Sequence, residues 1–278
     1  MSKKLRIGGA SGFWGDSVVA TPQLLNGNNL DFIVYDYLAE ITMSIMARAR
    51  AKDPSKGYAI DFVSSVMKLN LRQIADQKVK ILSNAGGVNP QACAEAIRAL
   101  IKELNLDLKV AVVLGDDLLE DKDKFLDSGV QEMYSDEKFP EVDKIASINA
   151  YLGAFPIAQA LNDGADIVIT GRSVDSAVTL AACIHTYGWK EDEYDKLASG
   201  SLAGHIIECG TQSTGGNFTD WELVSKNLHM IGYPIVEVSE NGEFVCTKSN
   251  NTSGLVSFGT VAEQMLYEIG DPQAYILP

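Results

Sequence analysis

The feature of this sequence that most constrains its fold is a repeated order of short apolar run, small or polar turn and helical pattern. The apolar runs begin at Leu5, Phe32, Val79, Val110 and Ile167. This alternation is typical of βαβ units, which place successive strands in one parallel sheet. The sequence therefore predicts an α/β fold with a mostly parallel, doubly wound sheet and helices on both of its faces.

Further predictions concern individual strands. Residues 110–114 form a continuous apolar run, which is typical of a strand buried on both faces. Residues 145–150 resume the pattern, and residues 275–278 resemble the middle of another strand. An Asn-Gly pair at 241–242 separates two alternating runs and predicts a C-terminal β-hairpin.

The length of 278 residues allows one large core, or one core with a small appendage. We predict a single domain over residues 1–278, with a core in 1–216. Residues 217–278 would form a hairpin and helix extension that leads to a C-terminal part missing from this chain. The acidic stretch 116–144 is expected to be an exposed excursion with a short helix.

Composition excludes several classes of protein. The net charge of −14 argues against nucleic-acid binding and against a basic membrane patch. No apolar run approaches the roughly 18 residues that span a bilayer, and no signal peptide is evident, so we expect a cytoplasmic protein. Because the four cysteines lie far apart without a Cys-x-x-Cys pair, we predict free thiols.

Ligands of parallel sheets bind beyond the carboxyl ends of the strands. The loops at those ends are rich in glycine and small polar residues, so their backbone can approach a ligand closely. We therefore predict a ligand site built from these loops, with Gly9, Ser11, Gly12, Asp16, Asn84, Gly86, Gly87, Asp116, Asn149 and Gly171 as binding residues.

His205 and Glu208 are the strongest candidates for acid–base catalysis. Three residues apart on a predicted helix, they share one face with Cys209, and a carboxylate beside an imidazole raises its basicity. Two ligands are too few for a metal, so no metal site is predicted. A histidine satisfied within the core is the competing interpretation. Beyond this helix, the predicted binding residues are Gln212, Thr214, Gly215 and Gly216, the last three as part of an anion-binding nest.

Arg172 and Asp175 lie at a strand-to-helix turn and complete the predicted catalytic set. An arginine in this position can hold a carboxylate or phosphate with two hydrogen bonds. Alternatively, Arg172 pairs with Asp175 and the pair caps the helix. The sequence favours neither interpretation over the other.

An NAD(P)-dependent reductase is an alternative function. Gly9, Gly12 and Gly15 have the spacing of extended short-chain dehydrogenases, and Asp36 follows the second strand, where a ribose-binding acid would lie. Against this, Pro22 interrupts the helix that should bind the pyrophosphate. The tyrosine and lysine of 134–138 lie in a charged stretch that does not predict a helix.

Several segments together resemble the AtuA (acyclic terpene utilisation) family over nearly the whole chain. The most specific are residues 164–172 (GADIVITGR) and 204–210 (GHIIECG), supported by 7–12 (IGGASG), 83–87 (SNAGG) and 214–216 (TGG). Family members usually continue past the segment seen here at 271–275. The resemblance implies a role in the breakdown of acyclic terpenes, whose intermediates are CoA thioesters. It supplies no established set of catalytic residues.

We therefore predict a lyase, breaking C–C or C–O bonds of an acyl-CoA or small organic acid, with His205 and Glu208 as base and acid. No cofactor is predicted, although a CoA thioester is a candidate substrate. A homo-oligomer without nucleic-acid or membrane partners is expected. The remaining alternatives are the reductase and a non-catalytic subunit that binds a ligand or a partner protein.

Overall fold

The computed structural model describes residues 4–16 and 18–277. A seven-stranded sheet has the order β4-β5-β3-β2-β1-β6-β7. The first five strands run parallel and the last two are antiparallel, which confirms the predicted α/β fold and C-terminal hairpin. The strands are β1 (Leu5–Gly9), β2 (Phe32–Tyr35), β3 (Lys80–Ser83), β4 (Val110–Val113), β5 (Ile167–Thr170), β6 (Pro234–Val238) and β7 (Phe244–Lys248).

Helices cover both faces of the sheet. One face packs against α1 (Ala20–Leu25), α2 (Glu40–Lys52), α3 (Lys68–Gln77) with a π-helical segment (Phe62–Met67) before it, and α4 (Pro90–Glu103). After the short α5 (Lys122–Ser128), the other face receives α6 (Ala154–Asn162), α7 (Ala177–Tyr187) and α8 (Tyr194–Glu208). The last helix, α9 (Phe258–Leu266), lies against the end of α8.

The alternation of side chains along the strands divides the core into two layers. In β2, Ile33 and Tyr35 pack with α1–α4, whereas Phe32 and Val34 pack with α6–α8. Successive residues of a strand point to opposite faces, so a strand covered on both sides must be apolar throughout. All four residues of β2 are buried accordingly.

Three strand predictions are wrong. The strand over 110–113 is not buried on both faces, because it lies at the sheet edge with β5 as its one neighbour, and three of its residues are half-buried. Residues 145–150 form no strand, and Asn149 makes an isolated bridge to Asp117. Residues 275–277 have no regular structure.

Other predictions are confirmed. The 116–144 stretch is largely exposed and contains the short α5. The four cysteines have free thiols. Among the described residues, no helix has the length and apolarity needed to cross a membrane.

Candidate functional site

A cleft of about 810 Å³ lies at the carboxyl ends of the parallel strands. Gly12 and Phe13 after β1, Asp36 after β2 and the 172–175 turn after β5 form its floor, together with the end of α8. The C-terminal segment 267–277 contributes further lining side chains: Tyr267, Glu268, Tyr275, Ile276 and Leu277.

Three carboxyl groups meet in this cleft. Oxygen atoms of Asp36, Asp175 and Glu208 all lie within 4.8 Å of one another. Asp36 is 7% exposed and Glu208 is 5% exposed, while Asp175 is half-buried. Like charges so close together in a buried site cannot all ionise readily, so protons or a cation must neutralise part of the cluster.

Asp36 is held in place by its neighbours. Asn84 donates from Nδ2 to Asp36 Oδ1 at 2.5 Å, and the backbone N–H of Leu38 donates to the same oxygen at 3.2 Å. Ser11 donates to the Asp36 carbonyl at 3.0 Å. Asn84 is itself fixed, because its Oδ1 accepts from the N–H of Tyr37 at 2.8 Å. The carboxyl group is therefore preorganised before any ligand binds.

Arg172 is the buried cation of the cleft, with 4% of its surface exposed. Its Nη1 donates to Asp175 Oδ1 at 2.6 Å, and its Nη2 donates to the Tyr151 hydroxyl at 3.2 Å. The guanidinium carbon lies 4.2 Å from the centre of the Tyr151 ring. Tyr151 donates in turn to Glu40 at 2.5 Å. The pairing of Arg172 with Asp175, one of the two interpretations of this turn from the sequence, is thus present. Both residues also line the cleft.

Glu208 lines the cleft, and His205 lies behind it. His205 Nδ1 is 3.2 Å from Glu208 Oε1. His205 is 4% exposed and does not line the cleft, and its Nε2 has no hydrogen-bond partner among the described residues. Gln264 of α9 donates to the His205 carbonyl at 2.9 Å, which fixes the end of α8. Glu208 is therefore the member of the predicted pair that can touch a ligand directly.

Burial controls the protonation of this site. Burial raises the pKa of Glu208 to about 7, against the lowering effect of the His205 hydrogen bond. Burial, followed by the charges of Asp175 and Glu208, raises the pKa of Asp36 well above its ordinary value. Burial lowers the pKa of His205, but the hydrogen bond and charge of Glu208 raise it by more. The Asp36 and Glu208 carboxyl groups therefore hold a proton more readily than exposed carboxyl groups do, and the pKa of Glu208 lies near neutral pH.

The same three carboxyl groups have the chemistry of a divalent-cation site, since oxygen ligands suit Mg²⁺ and Ca²⁺. The 205–209 segment alone holds too few ligands, which is why the sequence did not predict this site. Asp36 and Asp175 come from the ends of two other chain segments, which only the fold brings beside Glu208.

Among the predicted site residues, five line the cleft: Gly12, Arg172, Asp175, Glu208 and Gln212. Ser11 and Asn84 lie behind the cleft lining, where each donates a hydrogen bond to Asp36. For these residues a role in catalysis or binding stays a prediction that their positions favour.

Another group of predicted residues forms a hydrogen-bond network behind the cleft. Asp116 Oδ2 accepts from the Arg172 N–H at 2.7 Å and from Asn149 Nδ2 at 2.9 Å. A Cβ on Gly171 would lie 2.3 Å from Asp116 Oδ2, so only glycine fits beside this carboxylate. The network joins the loop after β4 to the turn that bears Arg172.

The remaining predicted residues contact protein groups. The Asp16 carboxylate accepts from the Gly12 N–H at 3.0 Å, and Thr214 donates to the Gly232 carbonyl at 2.7 Å. A Cβ added at any of five glycines would lie less than 3 Å from a neighbouring protein atom: Gly9, Gly86, Gly87, Gly215 and Gly216. Ligand binding by these residues stays a prediction, and the structure does not bring them to the cleft lining.

Sequence reasoning missed much of the lining. Asp36 was considered only as a ribose-binding acid, and Glu40, Tyr151 and the 267–277 segment were not predicted as residues of the site. The one available signal was the position of Asp36 at the end of a buried strand, since that is where ligand-contacting residues of parallel sheets lie.

The structure also bears on the reductase alternative. A Cβ on Gly9 would lie 2.1 Å from the Ile207 carbonyl, and one on Gly12 would lie 2.8 Å from Cys209. The last turn of α8 and Cys209 after it thus pack against the glycine loop that a dinucleotide would approach. Tyr134 is 87% exposed and does not line the cleft. Gly12 and Asp36 both line the cleft, but Gly9 and Tyr134 do not, so the structure brings only part of the predicted dehydrogenase features together.

Comparison with known proteins gives one family. The model of the acyclic terpene utilisation family protein AtuA matches residues 5–278. No curated protein sequence and no solved structure matches the chain significantly. Because the family match spans almost the full length, the chain belongs to the acyclic terpene utilisation (AtuA) family.

Proposed function

We propose that this protein is an enzyme of acyclic terpene or branched organic acid breakdown that performs lyase chemistry in the cleft. The substrate would be a small organic acid or its CoA thioester. The observation that carries the proposal is Glu208, a buried carboxyl that faces the cleft and whose burial raises its pKa to about 7. A group with such a pKa can accept and return a proton near neutral pH.

Glu208 is assigned the proton transfer. For C–C cleavage of a 3-hydroxy acid, Glu208 takes the hydroxyl proton, the C2–C3 bond breaks, and a carbonyl forms at C3. The bonding electrons remain on the released two-carbon fragment as an enolate, which is then protonated by the same carboxyl or by water. His205 is assigned a positioning role, because its Nδ1 contacts Glu208 at 3.2 Å and it does not line the cleft.

The charge state of the cleft accommodates an anionic substrate. Asp36 in its neutral form can donate a hydrogen bond to a carboxylate or to a developing oxyanion, which an ionised carboxylate cannot do. Arg172 adds a buried positive charge beside it. Apolar side chains of the lining, including Leu38 and Ile276, would contact a hydrocarbon part of the substrate.

Turnover and binding measured on two matched variants test this proposal. Acyl-CoAs, CoA, branched 3-hydroxy acids, NAD and NADP are first screened by thermal shift, and the stabilising compounds are assayed for cleavage. Glu208→Gln should lower turnover by about a hundredfold or more while binding persists, which is the usual scale for losing an acid–base group. Glu191→Gln, at an exposed position outside the cleft, is the control and should leave turnover unchanged.

Other outcomes separate the alternatives. Stabilisation by NAD or NADP alone would replace the proposal with the reductase. Binding without any cleavage would replace it with a non-catalytic subunit. Repeating the assay with EDTA and with added Mg²⁺ determines whether the three carboxyl groups act with a cation or with protons alone.

A further inference from the structure

A second cavity lies at the amino ends of the parallel strands, whereas the cleft lies at their carboxyl ends. It has a volume of about 230 Å³ and is bounded by the starts of β1, β2 and β3 and by the end of α7. Three of the residues that line it are lysines, namely Lys4, Lys78 and Lys80, and His185 lies beside them. This concentration of positive charge stands out in a chain with 37 acidic and 23 basic residues.

Two of these lysines are unpaired. Within the part of the chain that the structure describes, the ammonium groups of Lys4 and Lys78 have no hydrogen-bond or ion-pair partner. Lys78 also has a left-handed backbone, with φ at +58°, a conformation that glycine adopts more easily than lysine. One acid lines the cavity, Asp31, and its carboxylate accepts from the backbone N–H of Arg6 at 3.0 Å.

The other two cationic or polar groups are held in place. Lys80 Nζ donates to the Ala165 carbonyl at 2.6 Å and lies 3.5 Å from Asp166 Oδ1. His185 Nδ1 donates to Asn162 Oδ1 at 2.7 Å, which orients the ring. The two free ammonium groups of Lys4 and Lys78, with the held ammonium group of Lys80 in the same lining, supply the positive charge of an anion site.

We propose that this cavity binds the phosphate group of a small soluble molecule, either inorganic phosphate or a phosphate monoester. A multiply charged, compact anion matches several ammonium groups better than a single carboxylate does, and lysine binds phosphate as a point charge. The site is independent of the cleft and of the lyase proposal, because the two lie at opposite edges of the sheet and share no lining residue.

Calorimetric titration with inorganic phosphate and with glycerol 3-phosphate tests this site on the full chain. The wild type should bind both at low salt, and affinity should fall as salt is added, since exposed charges are screened. Lys4→Gln and Lys78→Gly should each reduce the affinity by up to about fivefold, the scale of one exposed charge pair. Lys226→Gln, at an exposed position outside the cavity, should leave the affinity unchanged.

Lys78→Gly keeps the test independent of folding, because glycine suits the left-handed backbone at that position. The proposal is overturned if neither compound binds more tightly than chloride. It is also overturned if Lys226→Gln weakens binding as much as the cavity variants do, because binding would then follow the overall charge.

Discussion

Charged side chains are buried at the carboxyl ends of the parallel strands, and lysines are exposed at the amino ends. At the carboxyl edge, Arg172, Glu208 and Asp36 are at most 7% exposed and lie among one another's charges. At the amino edge, Lys4 and Lys78 are exposed. Burial makes each charge depend strongly on its partners, whereas water screens the lysines. Substitutions should therefore have large effects at the first edge and small effects at the second.

The largest effect is expected for Arg172→Met. Removing this cation leaves Asp175 and the other buried carboxyl groups without their positive partner, which typically costs about 3–5 kcal/mol of unfolding free energy. Lys144→Gln, which removes an exposed pair with Glu141, should cost less than about 1 kcal/mol. Urea unfolding at neutral pH measures both. Equal losses in the two variants would contradict the contrast between buried and exposed charge.

Glu208→Gln should change how stability depends on pH. Because the folded-state pKa is raised from 4.5 to about 7, the folded chain holds this proton more tightly than the unfolded chain does. The resulting stabilisation is complete below about pH 4.5 and is lost as pH rises through about 7, a change of roughly 3 kcal/mol. The raised pKa of His205 acts in the same direction.

The melting temperature of the wild type should therefore fall between about pH 5 and about pH 8, and that of Glu208→Gln should fall less. Parallel melting curves over this range measure the difference. If the two proteins lose the same number of degrees, Glu208 does not have a raised pKa.

A smaller effect is expected for Gly9→Ala. The added Cβ would lie 2.1 Å from the Ile207 carbonyl, and overpacking of this kind costs about 1–3 kcal/mol. Gly270→Ala is the control, because no atom lies within 4 Å of its Cβ position. Thermal unfolding of both variants tests whether protein fills the space at the first glycine loop. An unchanged melting temperature for Gly9→Ala would instead mean that this loop has room for a ligand.

The smallest effect is expected at the lysine cavity. Lys78→Gly relieves a left-handed backbone and removes an exposed charge, so it should raise stability by at most about 1 kcal/mol. Chemical unfolding in the absence of phosphate measures this change. A loss of more than 1 kcal/mol would show that Lys78 makes a stabilising contact and is not a free cation.

Local patterns predicted most of the architecture. The helix that bears His205 and Glu208 follows from helical spacing, and the position of the hairpin follows from the Asn-Gly turn, both of which neighbouring residues determine. The strand over 110–113 shows the limit of this reasoning. Its apolar composition does not reveal its place in the sheet order, and it proved to be an edge strand.

The candidate site was predicted in part. Arg172, Asp175 and Glu208 were identified from local spacing, but Asp36 became their neighbour only through the pairing of β1 with β2 and the course of α8. The glycine positions predicted the site less well than the charged residues did. At Gly9 and Gly86 the close neighbour that excludes a side chain is a protein carbonyl, and the sequence does not distinguish a protein neighbour from a ligand.

The central claim is that Glu208 is a proton-transfer group whose pKa lies near neutrality. Carbon-13 NMR of protein labelled at the glutamate side-chain carboxyl groups tests it directly, with the Glu208 signal assigned by its absence in Glu208→Gln. This signal should titrate with a midpoint at about 7. A midpoint near the ordinary value of 4.5 would contradict the account.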